Sequence, residues 1–415
     1  MLPCKSFRIV LLCAVCLTGI PTMTHAQTSQ PSPDVKTLAA DTDAFAAELY
    51  GRLAGEKGNL FFSPYSIESA LAMVYGGARG ETADQMAHVL RFSLPPDQLH
   101  PAAGKLINSL EAGGTVDGKP AYELVVANAL WGQKGYPYQP AFLNLVSRNY
   151  GASLEAVDFA QFEQVRQQIN GWVAKQTRDK IKELIQAGNI DANTRLVLTN
   201  AIYFKGAWAE PFKKELTKAE PFHLDADRTV QVELMHQQHH FPYMESDDMQ
   251  AVELPYKGQR LSMLVLLPKK IDGLAALEKQ LTPEAIDGWV SELRGQDVQL
   301  SLPKFTMTCK FELSGQLKAM GMTDAFSNKA DFSGISTAEG MAISKVIHKA
   351  FVDVNEEGTE AAAATAVIMR PTAVFRRPAP PVVFRADHPF VFMIRDGETS
   401  AVLFVGRVEE MLNAE

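Results

Sequence analysis

The stretch NEEGTEAAAATAVIMRPTAVFRRPAPP, residues 355–381, most restricts what this chain can fold into. Its first half carries the alanines Ala361, Ala362, Ala363 and Ala364, the best helix formers. They lie between Phe351, Val352 and Val354 on one side and Val367-Ile368 on the other, residues that prefer strands. Its second half carries Pro371, Pro378, Pro380 and Pro381, which exclude an interior helix or strand because proline has no N–H to donate. An extended, exposed segment near the C-terminus is expected. The residues alone also admit, and by themselves favour, a disordered or helical surface loop.

The rest of the chain supplies a core to carry such a segment. Of 415 residues, 46% are hydrophobic and 21% charged, with 22 phenylalanines and four tryptophans, which argues for a folded body. A formal charge of −8 speaks against a nucleic-acid partner. Lys5 and Arg8, the apolar run Ile9 to Leu17, and Thr24-His25-Ala26 have the order of a signal peptide over residues 1–26. No segment has the ~18 consecutive apolar residues of a membrane span. Export would remove Cys4, Cys13 and Cys16 and leave Cys309 alone, so no internal disulfide is expected. The absence of an Asn-X-Ser/Thr sequon joins this in favouring a bacterial protein, secreted or periplasmic.

Residues 27–39 begin QTSQPSPDVK and read as a flexible lead, and residues 40–415 as one large α+β domain without repeat or linker. Phe45, Leu49 and Leu53 recur at helical spacing. Ser63 is a natural N-cap before Pro64, with Ile67, Ala70, Leu71 and Val74 as a stripe and Gly76-Gly77 as the stop. Residues 195–204 and 261–267 read as buried strands, and Val298, Leu300 and Leu302 as a strand with one wet face. FVFMI and AVLFV about Asp396-Gly397 read as strand–turn–strand.

VNEEGTEAAAATAV (354–367) resembles the hinge of inhibitory serpins. NLFFSPYSIESALAMVYGGARGET (59–82), LVLTNAIYFKGAWAEPF (196–212), AVELPYKGQRLSMLVLLP (251–268), LPKF (302–305) and FRADHPFVF (384–392) resemble further signatures of that family, in its order. The resemblance implies about nine helices around three β-sheets, with an exposed reactive loop at about 356–381. It implies a monomeric inhibitor of serine-type endopeptidases whose cut loop inserts as a strand of the largest sheet and traps the enzyme. The hinge would be Glu356, Glu357, Gly358, Thr359, Glu360, the four alanines and Thr365. A strand alternates faces, so Thr359, Ala361, Ala363 and Thr365 form one row, small enough to enter a packed interior. The family also implies that Glu356 pairs with Lys304 where the sheet opens, with Trp208 packed nearby. Ser63, Ser66, Asn200 and His348 would form a polar cluster under the sheet centre.

In most inhibitory members of that family the residue before the scissile bond lies fourteen positions after the hinge glycine, so the resemblance implies Thr372-Ala373, which suits an elastase-like enzyme with its shallow pocket. The loop is longer than usual beyond Ala373, so Phe375-Arg376 and Arg376-Arg377 stay open as chymotrypsin- and trypsin-like alternatives. The rival reading is a non-inhibitory serpin fold acting as a binding or carrier protein. An enzyme is not expected, since no Gly-X-Ser-X-Gly, His-Glu-X-X-His or phosphate-binding glycine loop occurs. His236, His239 and His240 read as a histidine-rich surface strand or loop rather than a metal site, and no cofactor is implied. Residues 95–112 hold only Lys105, so no heparin site is expected.

Overall fold

The computed structural model describes residues 30–113, 115–116, 119–338, 340–359 and 380–411. The expected signal peptide, residues 27–29 of the lead, the hinge from Glu360 to Thr365, and the candidate cut sites Thr372, Ala373, Phe375, Arg376 and Arg377 lie outside them. The first helix, Pro33–Leu53, starts inside the segment expected to be a flexible lead. Ser32-Pro33 repeats the Ser-Pro order of Ser63-Pro64, with proline in the first turn but no side-chain cap from Ser32, and Val35, Leu38 and Ala39 are buried along with Phe45 and Leu49. The ordered body therefore begins earlier than the polar composition suggests.

The architecture is α+β, with nine α-helices among the described residues and sheets of nine, six and two strands. The nine-stranded sheet contains Leu261–Pro268 paired to Phe390–Asp396, which turns back into Val402–Val408, as the sequence pattern predicts. The helix Pro64–Tyr75 is buried all round rather than along one stripe. Ser63 caps it, accepting the Ser66 N–H on its hydroxyl.

The six-stranded sheet positions the hinge. Its order is Phe305–Glu312, Val346–Asn355, Leu196–Ala207, Tyr122–Gln133, Leu154–Val157, with the two-residue strand Gly358–Thr359 wedged in beside Val346–Asn355. From Val346↔Leu198 to Phe351↔Tyr203 the central strands pair directly and in parallel. Higher up they separate. There Thr359 lies between Val354 and Gly206, and Gly358 between Asn355 and Ala207, antiparallel to both neighbours. The sheet thus has a seam that is closed below and already filled by the chain's own next residues above.

Candidate functional site

Gly358 is the residue that lets the chain turn back into the seam. Its φ is 150°, and a methyl group there would overlap the carbonyl oxygen of Gly206 and the Cα of Ala207. Asn355 braces the turn by accepting the Glu357 N–H on its side-chain oxygen at 3.0 Å. Trp208, 1% exposed and one residue beyond the strand Leu196–Ala207, clamps it from the facing side. Its indole N–H donates to the Asn355 carbonyl at 3.0 Å, its backbone N–H donates to the Glu357 carbonyl at 2.9 Å, and its ring stacks on Tyr256 at 4.7 Å. Thr359 is fully buried, its hydroxyl 2.8 Å from that of Tyr256.

Lys304 and Glu356 meet as the resemblance implies, Nζ to Oε2 at 3.4 Å. Lys304 is shared with Glu233 at 3.0 Å, and Glu356 accepts from the Thr217 hydroxyl at 2.8 Å. Burial alone would raise the Glu356 pKa. Hydrogen bonds from the backbone and Thr217, with the Lys304 charge, outweigh it and hold the carboxyl below its ordinary value. Glu357 points outward to Lys214 at 2.6 Å, an exposed pair of small energetic weight.

Deeper in the seam, Ser63, Ser66, Asn200 and His348 are all fully buried and joined. The Ser63 N–H donates to His348 Nε2 at 3.1 Å, which fixes the proton on Nδ1 and directs it to the Asn200 side-chain oxygen. Asn200 Nδ2 donates to the Ser66 carbonyl at 2.6 Å, to Ser66 Oγ at 2.7 Å and to Asn128 Oδ1 at 2.6 Å. Ser63 Oγ donates to the Leu403 carbonyl at 2.6 Å, so this residue both caps its helix and joins the cluster to the other large sheet. Burial drives the His348 pKa down to about 3, which keeps the ring neutral. His348 and Asn200 stand opposite each other across the parallel pairing, so parting these strands breaks their bond. Sequence reading missed Asn128, Thr217 and Glu233, which stand in none of the quoted motifs, and Tyr256, which stands in the signature 251–268 without a role assigned to it.

His236, His239 and His240 fall on the strand Thr229–Glu245. His236 is bracketed by Ser301 Oγ at 2.9 Å and Glu220 at 3.2 Å, and His239 faces Glu210 at 3.6 Å. His236 and His239 thus each face one carboxylate, on different residues. Among the described residues no three metal-ligating side chains are grouped. Cys309 is half-buried, its thiol pushed up to about 11 by burial.

Residues 40–411 match the family model described as serpin (serine protease inhibitor). The bovine (Bos taurus) leukocyte elastase inhibitor is 44% identical over 385 residues, covering 90% of this chain and 99% of its own. Uncleaved ovalbumin is similar in structure, with a TM-score of 0.81 and 34% identity over 90% of this chain and 99% of its own. Human thyroxine-binding globulin in complex with thyroxine has a TM-score of 0.82 and 30% identity over 92% of this chain and 100% of its own. These matches overturn the expected secreted or periplasmic location. The bovine inhibitor is aligned along 99% of its own length by 90% of this chain, and the family match begins at residue 40. Nearly all of the bovine inhibitor is thus matched without this chain's N-terminal segment, on which export rested, and that assignment is withdrawn.

Proposed function

The chain belongs to the serpin family, and from that premise we propose that it inhibits serine endopeptidases by suicide-substrate trapping. The observation that carries the reading is the wedge of Gly358 and Thr359 between two strands that otherwise pair directly. Extending that wedge exchanges one parallel pairing for two antiparallel ones, the arrangement slightly more stable per residue. Thr359 already points into the core, so alternation sends Ala361, Ala363 and Thr365 inward after it, with no bulky or charged side chain to bury. About fourteen inserted residues would span roughly 46 Å at strand rise. A dozen new ladder bonds at ~1 kcal/mol each would supply ~10 kcal/mol, comparable to the stability of a whole domain. Attack at Thr372-Ala373, with Phe375-Arg376 and Arg376-Arg377 as alternatives, would release that insertion while the acyl bond to the enzyme persists.

The relatives named as elastase inhibitors make an elastase-like target the first choice. The test is incubation of the full chain with pancreatic elastase and, separately, trypsin, read by denaturing gel and intact mass. A denaturant-resistant adduct at the sum of the two masses is expected, and the mass of the released peptide identifies the cut bond. Clipping of the loop by both enzymes without adduct or loss of activity would refute trapping of these enzymes. It would turn attention to a non-inhibitory binding or carrier role, for which the thyroxine-binding globulin is a structural neighbour.

A further inference from the structure

We propose that Lys310, Lys345 and Lys349, beneath the segment from Lys180 to Asn189, form a binding site for a small oxyanion of the phosphate or sulfate type. The site does not rest on the inhibitory reading. Lys310 and Lys349 stand directly opposite each other in the antiparallel pairing of Phe305–Glu312 with Val346–Asn355. Like charges in that position repel at Cβ separations of ~5 Å. The Lys310 ammonium is shielded from solvent and has no hydrogen-bond partner. A shielded cation without a partner is unfavourable, and a bound anion relieves it.

The neighbours have capacity for such a ligand. Lys349 Nζ donates to the Glu183 carbonyl at 3.0 Å and Lys345 Nζ to Asn189 Oδ1 at 3.3 Å, which leaves donor capacity on groups carrying three protons. Among the described residues Glu183 is the carboxylate that acts on both Lys310 and Lys349, and it is already bonded to Arg166 at 3.3 Å. Burial and the mutual repulsion of the three ammoniums push the Lys310 pKa down, as an unneutralised cluster requires. The roof of residues 180–189 favours a compact dianion over a polymer. Once bound, the anion would tie the strand Val346–Asn355 to the segment that leads into Leu196–Ala207, the other side of the seam.

The test titrates sodium phosphate or sodium sulfate into the full chain at constant ionic strength, balanced with sodium chloride, and follows the thermal midpoint. A saturable rise with either anion, reaching ~3 °C at a hundredfold excess over Kd, is expected. Lys310→Met should fold with an equal or higher midpoint in chloride and lose the response, whereas the exposed control Lys329→Met should keep it. A midpoint that follows ionic strength alone, a Lys310→Met response equal to wild type, or a rise with heparin but neither small anion would overturn the site.

Discussion

Replacing Asn200 by alanine tests whether the buried polar cluster holds the seam shut. Asn200 gives three donor contacts and accepts the His348 Nδ1–H, all buried except the partly buried contact with Asn128. The Ser66 carbonyl keeps Asn128 Nδ2 at 3.1 Å after the change, and Asn128 Oδ1 keeps the Ser66 hydroxyl at 3.4 Å. His348 Nδ1–H keeps nothing. One buried orphan donor costs about 1–3 kcal/mol, and each lost bond to a group that retains another partner about 0.5–1. The sum is roughly 3 kcal/mol. With an unfolding entropy of ~0.8 kcal/mol/K for a folded unit of this size, the midpoint of the uncleaved protein falls by ~4 °C. Once the loop is inserted, the strands bearing Asn200 and His348 no longer pair, so the same change should lower the midpoint of loop-cleaved protein by less than half as much. Scanning calorimetry of both forms decides. Equal losses in the two would mean that Asn200 supports the fold at large, and the seam argument would fall.

Thr359→Arg places a long cation where the native side chain is fully buried against Tyr256. Stability of the uncut protein should change little if the hinge simply unseats, but titration against elastase should show more inhibitor consumed per enzyme trapped. An unchanged stoichiometry would count against insertion. Acid stability supplies another check. His348 and His100 are held neutral by burial, at pKa values of about 3 and about 4, while an unfolded histidine titrates near ~6.5. Below that value the unfolded chain binds the extra protons. Stability is therefore present above pH ~6.5 and lost as pH falls toward 4, at up to ~1.4 kcal/mol per pH unit for each ring. His348→Gln should take up about one proton fewer on unfolding at pH 5, and an unchanged uptake would refute the assignment.

What the sequence revealed depended on whether the physics was local. Ser63-Pro64 announced a helix start because capping needs only residues three apart, and Gly358 announced a turn because only glycine fits there. Ser32-Pro33 carries the same sequence signal, but the surrounding polar residues mask it, so residues 33–39 of the first helix fall within the expected lead. Asn128 could not be found this way. It matters because strand pairing sets it opposite Asn200, and nothing in either local pattern specifies that register. Tyr256 likewise becomes part of the hinge only through its stack on Trp208 and its bond to Thr359. The pairing of Lys304 with Glu356 was available only through family resemblance, since it joins residues from separate elements.

The clamp at Trp208 gives this molecule an optical signal of its own. Indole emission responds to the hydrogen bond on Nε1 and to quenching by a stacked phenol, and here both contacts, Asn355 and Tyr256, belong to the hinge. Trp131 and Trp172 meet edge to face in another part of the fold, and Trp289 lies on the helix Pro283–Glu292. Subtracting the spectrum of Trp208→Phe from that of the wild type therefore isolates light from the single point where the loop enters the sheet. The position of the hinge can then be followed in real time, without attaching a dye to the segment whose movement is in question.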